Sequence, residues 1–442
     1  MRQTRPFWLA FLILNWAIIF FYWQQGSGGL LVQGGAGLLI ALGRLAGLSS
    51  AYGILQQFFF MGRLPWLERA FGLDKLARLH HVNGQLGLLL LVLHPILLTA
   101  GYAAASGTSW TVQLADFLFN YPLVIWAVTG LALFVSVVGV SLYIVRSRLR
   151  YESWYFVHLL AYLAIFSSLW HQFAVGTDLL ASRLFYGYWV SLYILVFGSH
   201  LIFRFLRPLY LFHRHAFRVA RVERESPAAV SVYLQGRSLD RFAIRPGQFM
   251  IVRFLAAGLW WQAHPFSLSQ PPDGRELRIT VKELGDFTGH VKNVPPGTKV
   301  LIDGPYGIFT DLFGVAQKKL FIAGGIGITP IRSILEEVLR RGGDAKLLYA
   351  NRTADEIVFK KELAVLAANY PVQVTHVLSE EPNYKGEQGY VDEEKIKRLV
   401  PDAAARDIYL CGPPPMMSAI TKILQQLGVP RRQIHFEKFS LQ

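Results

Sequence analysis

The chain has 442 residues, enough for two to three domains, and 53% of them are hydrophobic whereas only 17% are charged. Its one cysteine, Cys411, excludes an internal disulfide, a four-cysteine zinc site and an iron–sulfur cluster held by this chain alone. The net charge of +15 comes largely from basic residues in the loops of the apolar half, so no nucleic-acid partner is expected.

Apolar residues are concentrated before residue 207, which predicts a membrane domain. Each apolar segment has about 16 to 24 residues, near the ~20 needed to cross ~30 Å of hydrocarbon. The first segment is rich in aromatic side chains and lacks a small-residue cleavage site, so we expect a retained span and not a signal peptide. The six predicted spans are residues 7–23, 46–61, 79–102, 122–145, 154–173 and 184–206.

Charges in the loops predict the orientation. Basic residues follow the second, fourth and sixth spans, namely Arg63, Arg69, Lys75, Arg78, Arg146, Arg148, Arg150, Arg204, Arg207 and Arg214. The opposite loops offer Asp116, Asp178 and Arg183. Because basic loops stay inside, we expect the N-terminus and the whole C-terminal half to be cytoplasmic, in a multi-pass protein of the cell membrane.

Two of the spans carry histidines near both ends. His80 and His94 are fourteen residues apart, so they rise ~21 Å along a helix and lie within ~40° of one face. His81 is turned further away, which makes it the weaker candidate. His158 and His171 are thirteen residues apart, and an ideal helix leaves them ~140° apart. Polar side chains within a bilayer are costly and indicate a function.

If both helices run outward from the cytoplasm, His80 meets His158 on the inner side and His94 meets His171 on the outer side. This arrangement predicts two bis-histidine haem sites stacked across the membrane, whereas the alternative is that the rings bind backbone or lipid headgroups. Arg44, at the outer start of the second span, either reaches headgroups, pairs with an outer haem propionate or polarises an acceptor. Three more histidines are expected to face the membrane surface: His200, His213 and His215.

The second half changes pattern at Phe217. Short strand-forming runs separated by turns predict a small antiparallel barrel to about residue 312. The run WWQAHPFSLSQ places four candidate residues on a strand, and VKELGDFTGHV opens a short helix whose backbone amides suit a pyrophosphate. Either run could equally be an ordinary turn.

Strands and helices alternate from Lys318 onward, which predicts an α/β domain. GGIGITP joins the strand KKLFIAGG to the helix IRSILEEVLRR, and such a turn brings backbone close to a phosphate, although the full six-residue fingerprint is missing. Arg352 ends the next strand, where it either reaches an adenosine 2′-phosphate or faces solvent. Cys411 and Gly412 end a later strand at the carboxyl edge, where open parallel sheets bind ligands.

The order of RPGQF, HPFS, GDFT, DGPYG, GGIGITP, YLCGPPPMM and HFEKF resembles the ferredoxin-NADP reductase-type flavoprotein module. Preceded by six spans with paired histidines, it resembles the ferric reductase and NADPH oxidase superfamily over nearly the whole chain. The resemblance implies a multi-domain membrane protein: a six-helix transmembrane bundle at 1–210, an antiparallel β-barrel FAD domain at 211–313 and an α/β Rossmann-like NAD(P)H domain at 314–442.

The resemblance also implies site residues. Those near FAD would be His264, Pro265, Phe266, Ser267, Gly285 and Thr288. Those holding NADPH or NADH would be Gly324, Gly325, Gly327, Thr329 and Arg352, with Cys411 and Gly412 near the nicotinamide. Phe439 is similar to the terminal aromatic that stacks on the flavin, and Phe436 is its competitor. The haem ligands would be His80, His94, His158 and His171, with Arg44 beside the outer haem.

The implied function is transfer of electrons from cytoplasmic NAD(P)H through FAD and two b-type haems to an outer one-electron acceptor. Oxygen-reducing members of the family carry a further histidine one turn beyond the outer ligand, where this chain has Leu98. A ferric chelate is therefore the first expected acceptor, and superoxide formation from oxygen is the second. A membrane electron carrier that feeds a periplasmic partner protein is the third.

Overall fold

A computed structural model describes residues 5–141 and 151–437. The chain forms two compact units, the first made of Met1–Phe71 and Lys75–Arg204 and the second of Gly72–Asp74 and Phe205–Gln442. The boundary near residue 205 lies close to the predicted end of the membrane domain, and the predicted boundaries within the second half stay a prediction.

The first unit is helical. Its helices are α1 (Arg5–Ser27), α2 (Gly34–Met61), α3 (Pro65–Phe71), α4 (Leu73–Ser106, which begins in the short segment of the second unit), α5 (Trp110–Asn120), α6 (Val124–Gly139), α7 (Tyr151–Val175), α8 (Thr177–Leu180) and α9 (Arg183–His200). Side chains cap two of them, because Ser109 Oγ accepts from Val112 N and Ser182 Oγ accepts from Phe185 N.

Within residues 5–141 and 151–437, five helical segments are long and apolar enough to cross a membrane: Arg5–Val32, Gly34–Met61, Leu73–Ser106, Ser153–Val175 and Arg183–His215. Helices α5 and α6 meet at 108° and give a sixth if they are one bent span. The predicted membrane domain is therefore present, whereas the number six depends on that pair. Large apolar side chains such as Phe7, Leu89 and Trp170 are exposed on these helices, as expected of segments that contact lipid.

Helix α2 begins twelve residues earlier than the second predicted span. Its first half, GGAGLLIALGRLAG, contains five glycines and Arg44, which lower the local hydropathy and conceal the helix from a search for apolar runs. Arg44 consequently lies inside a continuous helix and not at its start.

The second unit opens with α10 (Arg207–His215) and two antiparallel sheets. The strand orders are β1-β2-β5 and β4-β3-β6, and bridges at Arg218–Lys299 and Leu268–Ile279 join the sheets around one apolar core. The elements are β1 (Arg218–Ser226), β2 (Ala229–Gln235), β3 (Phe249–Phe254), β4 (His264–Ser267), β5 (Glu276–Lys282), α11 (Asp286–Val291) and β6 (Val300–Tyr306). The expected antiparallel domain is present in this form.

A six-stranded parallel sheet follows, in the order β10-β9-β8-β7-β11-β12. From β7 the chain passes to β8 on one side, and it later returns to β11 on the other side of β7. The carboxyl ends of β7 and β11 therefore form the crevice that binds ligands in such sheets. The elements are β7 (Lys319–Gly324), α12 (Ile328–Arg340), β8 (Ala345–Asn351), α13 (Lys360–Asn369), β9 (Val372–Leu378), β10 (Glu387–Gln388), α14 (Glu393–Leu399), β11 (Asp407–Cys411), α15 (Pro414–Gln426) and β12 (Ile434–Glu437).

Candidate functional site

Helices α4 and α7 bring His80 and His158 together. Their ring centroids are 5.9 Å apart, with 65° between the planes. His81 is exposed, and its Nε2 lies 3.2 Å from Nε2 of Gln85. The structure thus places His80 and not His81 opposite His158, as the helix angle predicts.

The second pair, His94 and His171, is oriented by backbone carbonyls. Nδ1 of His94 donates to Gly43 O at 2.8 Å, and Nδ1 of His171 donates to Ser168 O at 2.5 Å. Both histidines lie on the same two helices as His80 and His158. Because a carbonyl only accepts, each Nδ1 carries the proton and each Nε2 keeps a lone pair that a metal could bind.

Two glycines let α2 approach α4 at His94. A Cβ on Gly47 would lie 2.5 Å from His94 Nδ1, and one on Gly43 would lie 2.9 Å from Leu98 Cδ2. Glycines four residues apart are typical of close helix packing in membranes. This signal is present in the sequence as GRLAG, and sequence reasoning missed it.

Arg44 belongs to a polar network within the helices. Its Nη2 donates to Tyr102 OH at 2.7 Å and its Nη1 to Ser27 Oγ at 3.2 Å, and Nη1 lies 3.9 Å from Asp178 Oδ1. Asp178 is buried and accepts from Ser27 Oγ at 2.6 Å. Sequence reasoning counted Asp178 only as a loop charge, because nothing in the sequence links positions 44 and 178.

The expectation that His200 and His215 face the membrane surface is wrong. Both are buried: His200 Nε2 lies 2.7 Å from Tyr162 OH, and His215 Nδ1 donates to Arg237 O at 2.8 Å. Burial is tolerated because these partners satisfy the ring nitrogens. His213 is exposed.

In the second unit, β4 carries His264, Pro265, Phe266 and Ser267, and an aromatic contact joins it to α11. The rings of His264 and Phe287 have centroids 4.0 Å apart, and Phe266 stacks on Phe287 at 6.4 Å. Thr288 Oγ1 accepts from Gly285 N at 3.0 Å and fixes the turn before α11. The structure therefore brings the two predicted FAD segments together.

The glycine turn lies at the carboxyl ends of β7 and β11. A Cβ on Gly327 would lie 2.6 Å from the carbonyl carbon of Cys411, and one on Gly412 would lie 3.1 Å from Gly324 Cα. Gly325 has φ +52° with open space beside it, and Thr329 Oγ1 donates to Ile326 O at 3.0 Å. These backbone contacts unite the predicted nucleotide residues.

The side chains of Cys411 and Arg352 lie in contrasting surroundings. The side chain of Cys411 is fully buried in the core of the parallel sheet, and burial raises the pKa of its thiol. The crevice therefore meets the backbone of Cys411 and not an accessible thiol. Arg352 is 59% exposed and pairs with Glu356 at 2.5 Å. Phe439 lies outside the described residues, whereas Phe436 lies on β12 and is partly exposed.

A cleft of about 230 Å³ opens beside the glycine turn. It is lined in part by Lys282, Gly325, Ile326 and Glu356. Lys282 Nζ lies 3.3 Å from Glu356 Oε2. Glu356 therefore contacts Lys282 of the antiparallel sheets, the flavin lobe, and Arg352 of the parallel-sheet domain, the nucleotide lobe.

Three family models match the chain in order. They are described as "Ferric reductase like transmembrane component" over residues 46–169, "FAD-binding domain" over 214–310 and "Oxidoreductase NAD-binding domain" over 321–422. Together they cover the apolar helices, the antiparallel sheets and most of the parallel-sheet domain.

Curated relatives match nearly half of the chain. NADH-cytochrome b5 reductase 1 of Scheffersomyces stipitis is 35% identical over 209 residues, which are 45% of this chain and 74% of that protein. The ferredoxin reductase component of 3-ketosteroid-9-alpha-monooxygenase from Rhodococcus rhodochrous is 32% identical over 46% of this chain and 57% of its own length. The chain spans 56% to 64% of the length of this and two further reductases.

Among solved structures, the flavohem-like FAD/NAD binding domain of nitric oxide dioxygenase from Vibrio cholerae is 26% identical, with a TM-score of 0.44 over 50% of this chain and 97% of that one. The three matched models reproduce the fused arrangement that the motifs indicate. The chain thus joins a ferric reductase-like membrane component to FAD- and NAD-binding oxidoreductase domains, and it belongs to the ferric reductase and NADPH oxidase superfamily.

Proposed function

We propose that the protein carries electrons across the cell membrane from cytoplasmic NAD(P)H, by way of FAD and two b-type haems, to a one-electron acceptor outside. The observation that carries this proposal is the contact between His80 of α4 and His158 of α7, with His94 and His171 on the same two helices, in a chain that also has FAD- and NAD-binding domains. Nicotinamide delivers two electrons together and haem iron takes one, so a flavin is needed between them.

The rings of His80 and His158 fit a metal that two imidazoles would hold, since their centroids are 5.9 Å apart. At the other pair, the carbonyls of Gly43 and Ser168 fix the tautomer and aim Nε2 of His94 and His171. Bis-histidine haem would supply one-electron redox chemistry at both positions.

The basic loops support a cytoplasmic N-terminus and a cytoplasmic second unit. His80 and His158 would then be the receiving pair, and His94 and His171 the delivering pair. Arg146, Arg148 and Arg150, which contribute to this orientation, lie outside the described residues.

For the flavin and the dinucleotide, the proposed binding residues are those that the structure gathers at β4, α11 and the glycine turn. We assign His264, Pro265, Phe266, Ser267, Gly285 and Thr288 to FAD, and Gly324, Gly325, Gly327, Thr329 and Gly412 to the dinucleotide. Cys411 would position the nicotinamide through its backbone, since its thiol is buried.

A ferric chelate is the acceptor that Leu98 favours. Leu98 follows His94 by one helical turn and packs against Gly43, so this position offers no polar group that could bind or orient oxygen. Superoxide formation and transfer to a periplasmic protein are the other candidates.

The test is turnover of the purified protein with NADPH or NADH and either Fe(III) chelate or oxygen, with and without superoxide dismutase. We expect ferrous iron to form at a rate that the dismutase does not change. A signal that the dismutase abolishes would establish superoxide formation, and turnover of neither acceptor would favour a protein partner. A haemochrome assay should return two haems per FAD, and one or none would refute the two-haem path.

A further inference from the structure

A buried ion cluster joins the antiparallel sheets to the parallel-sheet domain. Glu362 of α13 accepts from both terminal nitrogens of Arg278 on β5, at 2.8 and 3.0 Å. Arg332 of α12 pairs with the same carboxylate at 2.5 Å. Arg278 and Arg332 are only 2% and 7% exposed, whereas the Glu362 side chain is 33% exposed, so the guanidiniums are shielded from water more fully than the carboxylate.

Arg332 also bonds directly to the segment that follows β4. Its Nη1 donates to the carbonyl oxygen of Ser269 at 2.7 Å. Ser269 lies two residues beyond Ser267, the last residue of β4, and Arg332 is the fifth residue of the helix that follows the glycine turn. One side chain therefore connects the proposed flavin strand to the proposed nucleotide helix.

Neighbouring groups balance the two arginines. Glu225 Oε1 accepts from Arg278 at 2.5 Å, Ser231 Oγ accepts from its Nε at 2.9 Å, and Glu336 lies 3.1 Å from Arg332. Burial acts to raise the pKa of Glu362, but Arg278 and Arg332 together hold it below its usual range. Glu362 is thus a carboxylate at neutral pH.

The ring of Phe359 lies beneath both guanidiniums, 4.6 Å from that of Arg278 and 5.3 Å from that of Arg332. Both arginines pair with the Glu362 carboxylate, and both guanidiniums lie over the ring of Phe359. Together these contacts define a single relative placement of the two lobes. A surface ion pair between long flexible side chains would define none.

We propose that Arg332 and Glu362 are positioning residues for hydride transfer, because they hold the nucleotide lobe at a fixed distance from the flavin lobe. This inference rests on the proposed function. Hydride transfer needs reacting atoms ~3–3.5 Å apart, and a misplacement of ~1 Å can cost about 10²-fold in rate. The cluster itself touches neither reacting ring and acts through the lobes.

The test compares Arg332→Gln and Glu362→Gln with Arg340→Gln in the full-length protein loaded with FAD. Arg340 lies on the same helix and pairs with Glu336, but it is 49% exposed and reaches no residue of the antiparallel sheets in any described contact. In anaerobic stopped-flow, the maximal rate of flavin reduction should fall by about 10- to 100-fold in the first two variants. The dinucleotide Kd and the FAD content should stay within about twofold, as should every parameter of Arg340→Gln.

A distance measurement gives a readout that does not depend on turnover. Spin labels at Ala243→Cys and Lys422→Cys lie on exposed positions of the two lobes, and labelling is selective because Cys411 is fully buried. We expect a narrow distance distribution in the otherwise unaltered protein and a broad one in Arg332→Gln and Glu362→Gln.

A normal reduction rate in the flavin-loaded fraction of both variants would overturn the inference, even if they lose FAD or stability. An unchanged distance distribution in both would overturn it as well. If neither NADH nor NADPH reduces the flavin of the unaltered protein, the proposed function fails first, and the inference fails with it.

Discussion

The two units build their candidate sites from different parts of the chain. In the membrane unit the site consists of side chains, the four histidines of α4 and α7. At the proposed dinucleotide site of the second unit it consists largely of backbone, where the glycine turn meets the carbonyl of Cys411 and the backbone of Gly412. Within lipid every backbone group must bond internally, so a membrane helix has only side chains to offer, whereas a crevice of an open sheet exposes its loops.

This difference determines how each site can be damaged. Substitution removes a side-chain ligand entirely, so loss should be all-or-none. A substitution cannot remove a backbone amide or carbonyl. It can only crowd that group with a new Cβ, so the loss of binding should be graded.

The largest effect is expected from His94→Leu. The outer histidine pair loses one ligand, so one of the two haems should be absent by haemochrome assay. Loss of a residue that only hydrogen-bonds to a metal ligand typically costs ~10–100-fold in activity. Loss of the ligand itself should lower the rate of acceptor reduction by more than that. Reduction of the flavin by NAD(P)H should be unchanged.

His81→Leu is the matched control, because His81 is an exposed histidine on the same helix. It should keep both haems and full activity. Two haems in His94→Leu would contradict the side-chain account of the membrane site, and joint loss of haem and flavin reduction would indicate misfolding.

Gly327→Ala should have an intermediate effect. The new Cβ would lie 2.6 Å from the carbonyl carbon of Cys411, and such overpacking costs about 1–3 kcal/mol. We expect a lower free energy of unfolding and dinucleotide binding weakened by roughly tenfold. Gly289→Ala, where a Cβ meets open space, should change neither, and equal damage in both variants would refute the packing explanation.

Much of this fold follows from local pattern. Hydropathy predicts the long apolar helices, helix geometry selects His80 over His81, and turn signals place β4, α11 and the glycine turn. Each of these features is encoded within some twenty consecutive residues, which is why the sequence alone predicts them.

The features that sequence reasoning missed depend on distant partners. Arg44 lies within a helix because Tyr102, Ser27 and Asp178 satisfy its guanidinium. His200 is buried because Tyr162 of another helix meets its ring. Such pairs form only when separate elements pack, and one sequence contains no signal that joins them.

Cys411→Ala should have a small effect on turnover. Burial raises the pKa of the thiol, so the folded protein keeps a proton that the unfolded chain releases above about pH 8.5. The unaltered protein should therefore lose stability as the pH rises past that value, and Cys411→Ala should lack this slope. Flavin reduction should stay within about threefold of the unaltered rate, whereas a hundredfold loss would restore a catalytic role for the thiol.

Arg352→Ala should have a similarly small effect, and it tests whether the dinucleotide site depends on a side chain at all. Arg352 is the one side chain predicted to recognise the adenosine phosphate, yet it is exposed and paired with Glu356. An exposed ion pair contributes little because water and salt screen it, so the KM for NADPH should rise by less than about fivefold and that for NADH should not change. Arg398→Ala, which breaks a similar exposed pair with Glu387, is the control. A rise of a hundredfold for NADPH alone would mean that Arg352 leaves Glu356 to bind phosphate, and the nucleotide site would then depend on a side chain as the histidine site does.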